Sequence, residues 1–264
     1  MSCSLVGDRM FTDLFACQIL KTRVHLTSYA DACARILAAI HAQEFGYVAI
    51  ANVHMVMTGY WQPEFQTIIN QALLTTPDGM PLVWSLKLFG FKNATRVYGP
   101  DLMLHCCTMA AQEQIPVYLY GGRPATLQQL CQNLQAQFPN LAIVGTEAPP
   151  FREPTPEESQ TTLHNIQQSG AKLVFVGLGC PKQEFWMRKY TDQLPAILLG
   201  VGAAFDFHAG AVSQAPRWMM GLGLEWAYRL SQEPGRLWKR YLVNNPAFVV
   251  LLLIQLLQVR LFAR

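Results

Sequence analysis

The sequence carries little charge and does not show the patterns of several common protein classes. Only 14% of the 264 residues are Asp, Glu, Lys or Arg, whereas 51% are hydrophobic. This composition argues against a disordered chain and predicts a large buried core. The length suits one large domain, or one domain with an appendage.

Neither cysteine nor histidine occurs in a recognisable metal or disulfide pattern. The seven cysteines include no C-x-x-C pair, and the six histidines are scattered along the chain. We therefore expect reduced thiols in a cytosolic protein and no zinc site. The N-terminus has no long apolar run after a basic start, so no signal peptide is expected. The adjacent Cys106 and Cys107 fall in an apolar helical pattern and are expected in the core.

Short apolar runs alternate with longer helical patterns through most of the chain. The predicted strands cover residues 47–51, 72–75, 116–120, 142–144, 173–176 and 196–199. The predicted helices cover residues 29–43, 64–71, 81–88, 101–114, 124–135, 156–168 and 181–190. Strands that are apolar on both faces are typical of a buried parallel sheet. The fold class is therefore α/β, with a Rossmann-like parallel sheet flanked by helices.

Ligands of such a sheet bind beyond the carboxyl ends of its strands. Four loops follow predicted strands, and we expect them to converge there: 52–54, 78–79, 177–184 and 200–206. In the second loop, Asp78 lies between Pro77 and Gly79. It either forms a turn, caps the helix that starts near Met80, or serves chemistry.

The loop "GLGCPKQE", residues 177–184, joins a strand to a helix. Gly177 and Gly179 would allow a phosphate close to the backbone, and Lys182 and Gln183 add polar contacts. The alternative is an ordinary tight turn. The loop is neither G-x-G-x-x-G nor a Walker A sequence, which argues against classical dinucleotide and ATP sites.

The segment "RVYGPDLM", residues 96–103, offers Arg96 as a fork for a diphosphate, or as a plain surface arginine. Asp101 is expected to cap the following helix. His54 and His208 could act as ligands or bases, but for each we expect a hydrogen-bonded structural role.

The end of the chain differs from the rest in charge and hydrophobicity. Residues 217–264 contain seven Arg or Lys against two Glu. Arg236 and Arg240 should share a helix face, whereas Arg229 precedes a break at Pro234. The apolar run 248–257 is shorter than the roughly 20 residues that span a bilayer, which favours an interfacial helix. The alternative is a helix docked on the body or on a sister subunit, so a homo-oligomer is possible.

Five segments together carry a family resemblance. In chain order they are "TPDGMPLVW", "RVYGPDLM", "VGLGCPKQEFWM", "GVGAAFDFHAG" and "QAPRWMMGLGLEWAYRLSQEPGRLWKRYL". Residues 47–242 thereby resemble the WecG/TagA/CpsF family of bacterial glycosyltransferases, glycosyltransferase family 26. The resemblance implies a Rossmann-like domain, here 1–210, and a helical membrane-associating appendage, here 211–264.

The resemblance also implies a function. It is inverting transfer of an N-acetylmannosamine-type or glucose-type sugar from a UDP-sugar to a polyprenyl-diphosphate-linked sugar, during cell-surface polysaccharide synthesis. The enzyme would lie in the cytoplasm, peripherally on the inner face of the membrane, with no metal, cofactor or nucleic acid partner. Asp78 matches the catalytic base, and Asn52, Arg96 and Gln183 match polar pocket residues. The further substrate-binding candidates are Gly177, Gly179, Lys182, Gly202, Asp206, Arg229, Arg236 and Arg240.

One position departs from the family pattern. Family members often have Thr two residues before the Asn, where this chain has Ile50. This departure bears on which sugar is transferred more than on the class of reaction. Two other functions stay open: another nucleotide-binding Rossmann-type enzyme, or a non-catalytic scaffold at the membrane surface.

Overall fold

A computed structural model of the chain describes residues 15–262. In this range the strands are β1 (Ala16–Ile19), β2 (Thr22–His25), β3 (Gly46–Ala51), β4 (Leu74–Pro77), β5 (Val117–Gly121), β6 (Ile143–Glu147), β7 (Leu173–Gly177) and β8 (Ile197–Gly200). The last six form one sheet in the order β4-β3-β8-β7-β5-β6. All its pairings are parallel, so the carboxyl ends of these strands share one edge.

The chain has helices on both faces of this sheet and further helices at its end. They are α1 (Tyr29–His41), α2 (Val53–Trp61), α3 (Pro63–Asn70), α4 (Met80–Leu88), α5 (Gly99–Gln112), α6 (Pro124–Gln137), α7 (Pro156–Gln168), α8 (Lys182–Tyr190), α9 (Ala204–His208), α10 (Arg217–Gly221), α11 (Glu225–Gln232) and α12 (Pro234–Phe262). On β3, Val48 and Ile50 pack toward α1, α5, α6 and α9. Tyr47 and Ala49 pack toward α2, α3, α7 and α8. The α/β class is therefore confirmed: five of the six strands are buried on both sides as their sequence predicts, and only the edge strand β6 is partly exposed.

Two features within residues 15–61, a hairpin and a helix, were not predicted. The hairpin β1–β2 pairs antiparallel outside the main sheet, and α2 follows directly after β3. The hairpin, α2 and α4 share an apolar cluster with the end of the chain. We call residues 15–210 the body and residues 211–262 the appendage. Residues 1–14 and 263–264 of the predicted domains lie outside the described range.

Helix α12 docks one of its faces on the body. Phe248 and Leu252 are buried in the cluster formed by the hairpin, α2 and α4. Gln255 accepts from the backbone N–H of Leu20 and donates to the carbonyl of Gln18, both at 2.8 Å. The expected break at Pro234 is confirmed, since α11 ends at Gln232 and α12 begins at Pro234.

The opposite face of α12 is apolar and exposed. Its exposed side chains include Val249, Val250, Leu253, Ile254 and Leu257. Within residues 15–262, one segment, Leu237–Leu261, is long and apolar enough to cross a membrane by length and composition alone. This apolar helix suggests membrane association, although its inner face is hydrogen bonded to the hairpin.

Docking of α12 gives a stability prediction. Phe248→Ala should lower the free energy of unfolding by about 3 kcal/mol, because it leaves a cavity in the cluster shared by body and appendage. The neighbouring Val249→Ala removes an exposed side chain and should change it by less than about 0.5 kcal/mol. Urea denaturation of both variants measures the difference. Equal effects would mean that α12 is not docked as described.

Candidate active site

A cavity of about 100 Å³ lies at the carboxyl ends of β3 and β4, between the body and the appendage. The body contributes Asn52, Val53, His54, Asp78, Gly79, Met80, Pro81 and Arg96 to its wall. The appendage contributes Gly223, Glu225, Trp226, Arg229, Arg240, Tyr241, Asn244 and Asn245. The cavity is therefore completed only when the appendage is in place.

Asp78 is held at the end of β4 by contacts from other elements. Its backbone N–H donates to the carbonyl of Ala51, the last residue of β3, at 2.8 Å. Its Oδ1 accepts from the backbone N–H of Gly99 at 3.3 Å and lies 3.5 Å from Nη2 of Arg96. The cap interpretation for α4 is wrong: Gly79 is the N-cap, and no side chain caps that helix.

The environment of Asp78 weakens its acidity. Its side chain is 18% exposed. The pKa of the Asp78 carboxyl is raised to about 6, mainly because the group is buried and also because Glu225 places a negative charge nearby. Arg96, the Gly99 N–H and Arg229 oppose the rise. A carboxyl with this pKa is ionised at neutral pH and is a stronger base than an ordinary aspartate.

Ile50, which lies two residues before Asn52, packs beside this contact. A Cβ on Gly99 would be 3.4 Å from Cγ2 of Ile50, so the isoleucine packs against the residue that donates to Asp78. Ile50 thus places apolar surface against Gly99, where a hydroxyl-bearing side chain would place a polar group.

Arg96 is not a plain surface arginine. Its Nε donates to the backbone carbonyl of Asp78, and its guanidinium lies 4.4 Å from the centre of the Tyr98 ring. Its Nη2 donates to Oε2 of Glu225, on α11, at 2.6 Å. Glu225 was not foreseen from the sequence, because nothing in the local pattern points to a partner 129 residues away.

The α2 end of the cavity is polar and uncharged. Asn52 is the N-cap of α2, and its Oδ1 accepts from the backbone N–H of Met55 at 3.2 Å. Nδ1 of His54 lies 3.1 Å from Nδ2 of Asn244 on α12. Burial, helped by the charge of Arg240, lowers the pKa of His54 to about 4. The imidazole is therefore neutral at physiological pH, and the amide N–H of Asn244 donates to it.

The glycine loop, residues 177–184, follows β7 at the same edge of the sheet as this cavity, and none of its described residues lines the cavity. A Cβ on Gly177 would be 2.6 Å from the Phe205 ring, so this glycine serves packing. Gly179 adopts a φ of +78°, in the left-handed region. Oε1 of the buried Gln183 accepts from the N–H of Gly179 at 3.1 Å, and Lys182 is exposed.

The remaining predicted residues are divided between the cavity and its surroundings. Gly202 and Asp206 follow β8, and like Gln183 they do not line the described cavity. Arg229 lies in it, with its guanidinium 5.8 Å from the Phe207 ring centre. Arg236 is on α12, but its side chain lies outside what the structure describes.

Arg240 acts electrostatically on groups of both the cavity and the glycine loop. It lines the cavity, and its charge helps to lower the pKa of His54 on one side. On the other side, it opposes the rise in the pKa of the buried Glu184, which burial brings to about 7. One guanidinium thus acts on both the cavity and the loop.

Other predicted polar residues serve the structure. Asp101 does not cap α5, whose N-cap is Tyr98; this prediction is wrong. Instead Arg217 of the appendage donates to both oxygens of Asp101, at 2.7 and 3.1 Å. Nε2 of His208 lies 2.9 Å from the carbonyl of Pro100, as expected of a structural histidine.

Together, these features define a class of enzyme. A carboxylate with raised pKa and several guanidinium groups at the carboxyl edge of a parallel sheet suit group transfer from an anionic donor. The model of the "Glycosyl transferase WecG/TagA/CpsF family" matches residues 17–261. The chain therefore belongs to this glycosyltransferase family, consistent with a transferase of cell-surface polysaccharide synthesis. Membership implies a nucleotide-sugar donor and a lipid-linked acceptor.

Proposed function

We propose that the protein is an inverting glycosyltransferase that moves a sugar from a UDP-sugar to a polyprenyl-diphosphate-linked sugar. The observation that carries the proposal is Asp78, a carboxylate with a pKa of about 6 on the wall of a cavity that also contains Arg229 and Arg240. A base and cations facing one small space are what this reaction needs.

The reaction is a single displacement. The acceptor hydroxyl oxygen attacks the anomeric carbon of the donor sugar, the bond from that carbon to the UDP oxygen breaks, and UDP departs with the bonding electrons. Asp78 takes the hydroxyl proton as the new bond forms, which raises the nucleophilicity of the oxygen. Because attack comes from the face opposite UDP, the anomeric configuration inverts.

As the bond to UDP breaks, negative charge grows on the diphosphate. This charge must be stabilised on the side of the sugar opposite Asp78. Arg240 is the favoured cation, since its charge acts on both the cavity and the glycine loop. The backbone of that loop, held by Gln183 at Gly179, would bind the diphosphate next to the cavity. Arg229 faces the cavity from α11 and adds a second positive charge.

The exposed face of α12 supports a peripheral position on the inner face of the cell membrane. Trp226 and Trp238 are also exposed, and such rings favour the headgroup level. A lipid-linked acceptor carries its diphosphate at that level. The division into a catalytic domain, 1–210, and a membrane-associating appendage, 211–264, is part of this proposal.

This position predicts vesicle binding through the exposed face. Leu253→Asp with Leu257→Asp should lower co-sedimentation with anionic vesicles by about tenfold, because two exposed apolar side chains lose their favourable transfer into lipid. Gln258→Asp is the control for added charge on an exposed polar position. If the control releases the protein equally, charge repulsion rather than lost apolar burial explains the result.

The proposal is tested by incubating the protein with several UDP-sugars and a short-chain prenyl-diphosphate sugar, followed by mass analysis of the lipid product. The expected result is one added sugar residue from an N-acetylmannosamine-type or glucose-type donor. No product from any donor, with calorimetric binding of NAD but not UDP, would favour another Rossmann-type enzyme. Binding of vesicles without binding of UDP would favour a scaffold.

A further inference from the structure

We infer that Glu225 of the appendage is a positioning residue for the transfer reaction: it takes the shorter hydrogen bond of the Arg96 guanidinium and so weakens the ion pair between Arg96 and the Asp78 carboxylate. This inference rests on the proposed role of Asp78 as the base. The appendage then does more than complete the cavity wall, because the basicity of Asp78 depends on a side chain of α11.

The distances show an unequal sharing of one cation between two carboxylates. Nη2 of Arg96 lies 2.6 Å from Oε2 of Glu225 but 3.5 Å from Oδ1 of Asp78. The side chains of Arg96 and Glu225 are 16% and 15% exposed, so water screens the contact only partly. Arg96 is also fixed at Nε by the backbone carbonyl of Asp78. The guanidinium therefore lies next to Asp78 but donates its shorter, stronger hydrogen bond to Glu225.

Two physical effects of Glu225 on Asp78 have the same sign. A nearby negative charge makes it harder to ionise Asp78, and a cation engaged elsewhere stabilises the ionised form less. Without Glu225, the full charge of Arg96 would act on Asp78 and make it a weaker base. The charged and titratable groups that act on Asp78, or on which it acts, are Arg96, Glu225, Arg229, Tyr29 and Tyr98.

A purely structural role for Glu225 is the competing explanation. Other contacts already fasten the appendage to the body. Arg217 binds Asp101 through two hydrogen bonds, and Gln255 binds the β1–β2 hairpin through two more. We therefore expect Glu225→Gln, which keeps the shape of the side chain, to leave the appendage docked.

The test compares Glu225→Gln and Glu225→Asp with Glu113→Gln, which removes an exposed charge at the far end of α5. Titration of the Asp78 carboxyl by carbon NMR, without substrate, should show its pKa lower by about one unit in Glu225→Gln. In the same variant, the acid limb of the kcat/KM profile should move down in pH equally, with a plateau lower by about fivefold. Glu225→Asp keeps the charge, so its Asp78 pKa and its kcat/KM profile should both lie close to those of the wild type. Glu113→Gln should match the wild type in both measurements.

Some results would overturn the inference. An unchanged Asp78 titration in Glu225→Gln, with an unchanged melting temperature, would show that Glu225 does not control the base. A faster variant with a lower KM for the donor would identify Glu225 as an inhibitory latch on Arg96 instead. Because the titration needs no substrate, it tests the inference even if the protein transfers no sugar, which would contradict the proposed function alone.

Discussion

Replacing Asp78 with Asn is expected to slow sugar transfer by about 10²- to 10⁴-fold, the usual contribution of a general base, while UDP binding persists. Asparagine has nearly the same shape and can still accept from the Gly99 N–H. Arg96 keeps its 2.6 Å contact with Glu225, so the variant leaves no buried cation without a partner. The fold should therefore survive, and the loss should fall on kcat. Transfer assays and UDP calorimetry on the same preparation measure the two effects.

The matched control is Asp192→Asn, which removes an exposed aspartate that pairs with Arg188 on the surface. It should leave transfer unchanged. If Asp78→Asn turned over at the wild-type rate, Asp78 would have no part in the chemistry. If it lost UDP binding as well as transfer, Asp78 would serve the architecture of the cavity rather than proton transfer.

The second large effect is expected at Arg240. Arg240→Met keeps most of the side-chain volume and removes the charge that acts on both the cavity and the glycine loop. We expect kcat/KM for the UDP-sugar to fall by about 10²- to 10³-fold, because a preorganised charge that stabilises the leaving group is lost. Steady-state kinetics over a range of donor concentrations measures the change.

The adjacent residue offers the control. Lys239 is exposed, and its Nζ lies 5.5 Å from the centre of the Trp238 ring, away from the cavity wall. Lys239→Met removes the same charge from the next position of the same helix and should change kcat/KM by less than about twofold. Equal losses in the two variants would mean that the basic helix acts through its overall charge, for instance on anionic lipid.

The fold could be predicted from the sequence because five of the six strands of the main sheet, all except the edge strand β6, are buried on both faces. Runs such as 173–176 are apolar at every position, and the pattern locates such strands with little ambiguity. The β1–β2 hairpin was not predicted, because each of its strands has only four residues and its apolar side packs against α12, which is far away in sequence. Its stability comes from tertiary packing, which local pattern does not report.

The candidate site was predictable where it depends on topology. Asn52 and Asp78 follow adjacent parallel strands, so the expected convergence of their loops is met. It is not met for Gln183, which turns inward to bind Gly179 and Glu184 instead of lining the described cavity. Glu225 could not be predicted, since its importance comes from where α11 docks. Local sequence gives strand ends and caps, whereas ion pairs across elements depend on the packed structure.

The proposed reaction depends on Asp78 acting as the base, and the pH dependence of single-turnover transfer tests this role most directly. The ionised form is the active base, so the rate should rise with pH, with a midpoint near the raised pKa of about 6, and then level off. The residual transfer by the Asp78→Asn variant should not show this rise with pH. A flat profile from about pH 4.5 to 8, or the same rise in Asp78→Asn, would contradict the assignment.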